Sequence, residues 1–364
     1  MPGQSDLLVS TDRGLYCPEG DFHIDPWQPV ARAVVTHAHS DHATFGSESY
    51  LCAARGVGVL RARVGDQSAI TGLPVGQPLS IGSVRVSFHP AGHVLGSAQV
   101  RVQRASGETW VFSGDYKTIA DRTCDAFEPV RCDTFITEST FGLPIYRWLP
   151  QQSVLDEVNA WWRANAAMER TSIVFAYALG KAQRVLAGVD ASIGPIGAHG
   201  ALLRMNDEYR AAGIQLPTIE HAAGEAISRL RGRGLIVAPP SALGSPWVRK
   251  FAATEAGMSA AFVSGWMRVR GTRRRRAIDR GFVLSDHADW DGLLWAIRET
   301  GASRIGVTHG YVGPLVRWLR ESGMDAFSVP TRYTGEIGEA IEEAKLGAPP
   351  VDEPPPEPGA GGEA

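Results

Sequence analysis

Apolar and polar positions alternate in short runs along the first third of the chain. Residues 33–35, 84–88, 99–102 and 109–112 are β-branched or alternating, and each run predicts a strand. Glycine and polar clusters separate them. Residues 134–137 predict another strand, which ends at Glu138. From about Pro150 the period lengthens, and Val154, Leu155, Val158, Trp161 and Trp162 recur at helical spacing. A strand over 172–177, a turn at Gly180 and a helix from Lys181 follow, with further strands over 234–238 and 260–263. Strands alternating with helices predict an α/β unit with parallel pairing, and the change of pattern marks about 147–278 as a second domain. After it, 280–284 and 304–308 read as strands and 290–299 and 336–346 as helices. No internal repeat is visible.

Composition adds limits. A chain of 364 residues that is 44% hydrophobic suits a globular protein with one large domain or two ordinary ones. No apolar run approaches the ~18 residues of a membrane span. The first residues lack a basic start followed by an apolar stretch, so the expectation is a cytoplasmic protein without a membrane. Cys17, Cys52, Cys124 and Cys132 form no CxxC pair and are expected to be free, buried or half-buried thiols. The net charge of −3 conceals an uneven distribution. Residues 347–364 are rich in Pro, Gly and Glu, carry Asp352, Glu353, Glu357 and Glu363 with no Lys or Arg, and read as a disordered tail. Without that tail the net charge is +1, and the placement of charge, more than its total, decides where a polyanion binds.

The strongest chemical signal is Thr36-His37-Ala38-His39-Ser40-Asp41-His42, directly after the predicted strand at 33–35. Three imidazoles and a carboxylate within six residues need partners if buried. Imidazole nitrogen and carboxylate oxygen are natural ligands of Zn²⁺ or Mn²⁺. His93, Asp115 and His309 each follow a predicted strand and each sit beside a glycine. That placement suits a site assembled along one rim of a sheet sandwich.

The order HxHxDH, then a later His, an Asp and a late His, resembles the metallo-β-lactamase superfamily. The resemblance implies an αββα sandwich with two divalent metal ions, Zn²⁺ first and Mn²⁺ second, at one edge. His37, His39 and His93 would bind one ion; Asp41, His42 and His309 would bind the other; Asp115 would bridge them. Asp25 matches an early aspartate that braces the metal loop, with Asp12 and Asp21 as nearby competitors. Three further segments resemble the β-CASP nucleases: Ile136-Thr137-Glu138-Ser139-Thr140-Phe141-Gly142, Ser285-Asp286-His287-Ala288-Asp289 and Val307-Thr308-His309-Gly310. The resemblance implies a metallo-β-lactamase domain over 1–146 and 279–346 with a β-CASP domain inserted over 147–278. Within the insert, residues 175–183 resemble a glycine-turn segment of the same family.

β-CASP proteins cut DNA or RNA. The opening Gly14-Leu15-Tyr16-Cys17-Pro18 and the single insert look most like bacterial exonucleases associated with ATP-dependent DNA ligases. The expectation is therefore a DNA-repair exonuclease acting with a ligase. His309 at the third motif is the choice of RNA-cutting members, which keeps an RNA-processing nuclease as the alternative, beside a non-catalytic nucleic-acid-binding subunit. A β-lactamase or thioester hydrolase of the same fold is disfavoured by the insert, Glu138 and His287.

For catalysis, Asp41 or Asp115 would orient the attacking water, His287 would donate a proton to the leaving oxygen, and Glu138 would fix the tautomer of His287. Arg268, Arg270, Arg273, Arg274, Arg275 and Arg276 crowd six arginines into nine residues and are expected to track the nucleic-acid backbone. Lys181 and Gln183, after the glycine turn, are further candidate contacts.

Overall fold

The computed structural model describes residues 5–253, 255–269 and 278–332. The protein is α/β and built on three sheets. In the first, six strands follow in chain order: Val9–Thr11, Gly14–Cys17, Phe22–Ile24, Arg32–Val34, Ser49–Ala53 and Ile70–Leu73. The second has seven strands, in the order Asp325–Ser328, Arg304–Thr308, Thr134–Glu138, Thr109–Phe112, Ala98–Arg104, Val84–Pro90 and Leu79–Ile81. Its first four strands are mutually parallel and the rest pair antiparallel.

The alternation seen in the sequence is the inner face of this pair. Leu15, Phe22 and Val34 of the first sheet meet Val86, Phe88, Val100, Val102, Trp110 and Phe112 of the second in one core. Phe88 is fully buried there, and truncating it to Ala would cost about 3–5 kcal/mol. The outer faces are covered too. Helix Val57–Val64 packs on Ala33, Val35, Tyr50 and Cys52 of the first sheet. Helices Trp290–Thr300 and Val312–Glu321 pack on Val111, Phe135, Ile305 and Val307 of the second. Coverage on both sides explains why Thr134–Glu138 is buried at every position.

The third sheet is parallel throughout, in the order Glu220–His221, Ile196–Ala198, Leu235–Ala238, Thr171–Phe175, Met258–Val263 and Arg280–Phe282. Helices Gln151–Ala167 and Lys181–Gly188 cover one face, with Val158, Trp162, Val185 and Leu186 in its core. The other face buries Ile173, Phe175, Ile236, Phe251 and Phe262.

The last strand follows the expected division at 278/279 in the chain but joins the third sheet. Arg280–Phe282 pairs in parallel with Met258–Val263. An isolated short run carries no sign of its pairing partner. The four cysteines are free, as expected, with Cys132 half-buried and the others buried. Among the described residues no helix is long and apolar enough to cross a membrane. The helix expected over 336–346 and the tail at 347–364 lie outside the described residues.

Candidate metal centre

The three adjacent parallel strands Thr109–Phe112, Thr134–Glu138 and Arg304–Thr308 all end at one edge of the second sheet. Asp115 follows the first, Glu138 closes the second and His309 follows the third. His93 lies just past Val84–Pro90, which runs in the same direction. The Thr36–His42 loop arrives from the first sheet and is tied across by the amide of Ala98 donating to the Thr36 carbonyl at 2.9 Å. Close approach here requires glycine. A Cβ on Gly114, at φ +56°, would sit 2.7 Å from the Thr36 hydroxyl oxygen.

Six of the seven residues expected as ligands fall into two close groups, and Asp41 lies beside the second. His37, His39, His93 and Asp115 place their ligand atoms within 4.8 Å of one another, and so do His42, Asp115 and His309. Asp115 belongs to both groups. One of its oxygens lies 3.7 Å from His37 Nε2 and 3.4 Å from His42 Nε2; the other is 3.8 Å from His309 Nδ1. Asp41 Oδ2 is 3.6 Å from His42 Nε2.

Hydrogen bonds on the outer side of each ring set its tautomer. His93 Nδ1 donates to the carbonyl of Asp286 at 2.8 Å. His39 Nε2 donates to the carbonyl of Leu179 at 3.2 Å. The Thr36 hydroxyl gives its proton to Asp25, so it accepts from His37 Nδ1 at 3.0 Å. Neutral rings held this way turn their acceptor atoms inward. His37 Nε2 and His93 Nε2 each lie 3.1 Å from His39 Nδ1. Burial, with the neighbouring imidazoles, pushes the pKa of His37 and His93 well below the ordinary value and keeps both neutral. Three nitrogen acceptors and a carboxylate facing one another form a donor set for a cation, and these buried groups could hold metal ions. Asp41 Oδ1 and Asp115 Oδ1 point the same way: both are buried with no hydrogen-bond partner among the described residues.

Asp25 is the brace. Its carboxylate accepts from the Thr36 amide at 2.8 Å, the Thr36 hydroxyl at 2.6 Å and His42 Nδ1 at 2.7 Å. Of its competitors, Asp21 is exposed and bonds Tyr16, and Asp12 is exposed. Asp25 and His309 both adopt the left-handed region, at φ 44° and 51°, which non-glycine residues occupy at a cost.

Glu138, fully buried, holds His287 Nδ1 at 3.0 Å and accepts the Tyr116 amide at 2.7 Å. Burial disfavours charge on His287, but Glu138 and Asp115 outweigh it and hold its pKa well above the ordinary value. The His287 ring lies 4.7 Å from that of His93, so this pair adjoins the metal centre.

The expected nucleic-acid contacts fare differently. Lys181 is buried and pairs with Asp286 at 3.1 Å. Gln183 is buried and bonds the Gly180 amide, the Ala178 carbonyl and Asn206. Both turn inward because Gly180, at φ +87°, packs its backbone onto Val94 and brings this helix start against the centre. Arg268 is exposed and donates to the Ile145 carbonyl at 3.3 Å. Arg270 and Arg273 to Arg276 lie outside the described residues. Sequence reasoning missed the carbonyls of Leu179 and Asp286, since a backbone acceptor has no residue signature. The Asp286 side chain had one signal, its place beside His287.

No family model matches the chain. A probable DNA ligase of Opitutus terrae is 30% identical over 331 residues, which is 91% of this chain and 32% of that protein. The endoribonuclease YSH1 of Gibberella zeae is 31% identical over 116 residues, 30% of this chain and 13% of that protein. The chain therefore spans about a third or less of the length of these curated relatives. Its fold is similar to the crystal structure of a protein of unknown function from Enterococcus faecalis V583, with a TM-score of 0.53 and 11% identity, over 84% of this chain and 80% of that one.

Proposed function

We propose that this chain is a metal-dependent nuclease of the metallo-β-lactamase fold with a β-CASP insert, hydrolysing phosphodiester bonds in DNA from an end. The observation that carries the proposal is the shared carboxylate, Asp115, set between two groups of inward-facing imidazoles. His37, His39 and His93 would hold one divalent ion and Asp41, His42 and His309 the other, with Asp115 between; Zn²⁺ suits a nitrogen-rich set and Mn²⁺ is second. When bound, such a pair supplies Lewis-acid polarisation of a phosphoryl oxygen and a more acidic water at neutral pH.

The rest falls to the protein. Asp41 Oδ1 and Asp115 Oδ1, the partnerless oxygens, can accept a hydrogen bond from the attacking water and aim it. Glu138 holds His287 Nδ1 and, with Asp115, raises its pKa well above the ordinary value, so a protonated His287 would deliver its proton to the leaving oxygen. Burial of the site excludes competing solvent.

Nucleic acid is favoured over other esters by the relatives, one a DNA ligase by name and others endoribonucleases. DNA comes first because the ligase match covers nearly the whole chain, whereas the endoribonuclease match covers under a third. The same match supports action alongside a DNA ligase activity. The shorter matches and His309 favour RNA as the second reading.

The test uses end-labelled DNA and RNA of one sequence, single- and double-stranded, with Zn²⁺ or Mn²⁺. Stepwise release of nucleotides from DNA, abolished by Asp115→Asn, is expected. Cleavage of RNA alone would replace DNA by RNA. Zinc-loaded protein that cleaves neither would sink the nuclease reading.

A further inference from the structure

We propose that Arg184 is a positioning residue that holds the loops carrying His93 and His287, and so makes the third-sheet layer part of the metal centre; the proposal rests on the metal-dependent reading above. Arg184 lies on helix Lys181–Gly188, is 1% exposed, and reaches out of its own layer in three directions. One terminal nitrogen donates to the carbonyl of His93 at 2.9 Å. The other donates to the carbonyl of Ser285 at 3.1 Å. Its Nε faces Asp121 at 3.2 Å, six residues beyond Asp115 in the chain. A single guanidinium thus touches the three loops that carry His93, Asp115 and His287.

Those loops are fastened to one another at the same point. The Ser285 hydroxyl accepts the amide of His287 at 3.0 Å. His93 Nδ1 donates to the next carbonyl, that of Asp286. Lys117, two residues past Asp115, adds a second donor to Ser285 O at 2.6 Å and bonds Gln151 at 3.0 Å. Gln151 in turn donates to Asp121.

Arginine suits this task for a geometric reason. Its planar fork donates along two fixed directions while its Nε edge faces a carboxylate, and an ammonium offers only a point charge. A buried ion pair serving stability alone is often replaceable by apolar residues of similar volume. Here both fork donors end on backbone carbonyls next to proposed site residues, and neither serves the packing of the third sheet. Removing the fork leaves those carbonyls without it and frees the 93 loop to drift. The 3.1 Å approach of His93 Nε2 to His39 Nδ1 depends on that loop. Loss of an outer partner of a ligand costs roughly 10- to 100-fold in metal affinity.

The experiment compares full-length wild type, Arg184→Met, Arg184→Lys and Asn165→Ala. Zinc affinity is measured by competition with a chromogenic chelator, beside thermal unfolding. Asn165 bonds Ser172 within the third-sheet layer, so its variant is a destabilised control away from the centre. The expected result is zinc binding weakened roughly 10- to 100-fold in Arg184→Met, an intermediate loss in Arg184→Lys, and wild-type affinity with a lowered Tm in Asn165→Ala. Should Arg184→Met fail to fold, Arg184→Lys against Asn165→Ala decides by the same criterion. Undiminished zinc affinity in the Arg184 variants, or an equal loss in Asn165→Ala, overturns the positioning role. Wild-type protein that takes up neither Zn²⁺ nor Mn²⁺ overturns the metal reading and this proposal together.

Discussion

Two buried polar clusters lie against each other in this protein, and they are built on opposite plans. Around Asp115, acceptors face acceptors: His37 Nε2, His39 Nδ1, His93 Nε2 and the carboxylate itself. Around Arg184, opposite charges are matched: its guanidinium lies 3.2 Å from Asp121, which also accepts hydrogen bonds from Gln151 and Thr123, and Lys117 donates to Ser285 and Gln151. Burying an unmatched polar atom costs about 1–3 kcal/mol, more if it is charged. One cluster pairs opposite charges, while its neighbour gathers acceptors and leaves Asp41 Oδ1 and Asp115 Oδ1 without a hydrogen-bond partner among the described residues. The contrast marks where metal ions from outside the chain could be held.

Removing that outside component should have the largest effect. Chelation is expected to stop hydrolysis and lower Tm, and zinc restored to ~100 times its Kd should return about 2.7 kcal/mol of stability. Calorimetry checks this, and a melting curve indifferent to zinc would erase the distinction between the clusters. His287→Ala should come next. A fall in kcat of about 100- to 10,000-fold is expected, with the zinc content of the purified protein unchanged. If zinc content falls with activity, His287 belongs among the ligands.

The smallest effect sharpens the matched cluster. Burial alone would raise the Asp121 carboxyl, but Arg184, Thr123 and Gln151 outweigh it and hold the pKa at about 2. A depressed carboxylate stabilises the fold above its unfolded pKa, and that stability is lost as pH falls through the folded value. The contribution is thus whole above about pH 4 and fades toward pH 2, amounting to about 2 kcal/mol. Asp121→Asn should be less stable than wild type at pH 6, with the gap closing on acidification in urea titrations. A gap that does not change with pH would show that Asp121 is not held by charge.

The ligand positions were legible because each follows a strand and carries chemistry that an apolar core rejects. His37, His39, His42, His93, Asp115 and His309 could be marked from the sequence, and their ligand atoms come together in two groups. The strands at 84–88 and 109–112 were legible from their alternation, since one face meets the core. The first three strands were not, being three or four residues long with turns close between them. Lys181 and Gln183 looked like surface contacts because a charged and an amide residue after a glycine turn suggest solvent, and only the packing on Val94 reveals that they face inward. Arg184 and Asp121 gave no sign at all. Their pairing spans 63 positions in the chain, and each alone reads as an ordinary surface charge.

The carbonyl of Leu179 has a consequence for how this protein can be divided. It comes from the third-sheet layer yet fixes the ring of His39 in the loop between the first two sheets. A trimmed chain with the third-sheet segment replaced by a short linker would keep every histidine and aspartate of the centre and lose the acceptor that orients one of them. Any shuffling of its parts must carry both pieces together or lose the contact that sets the His39 ring.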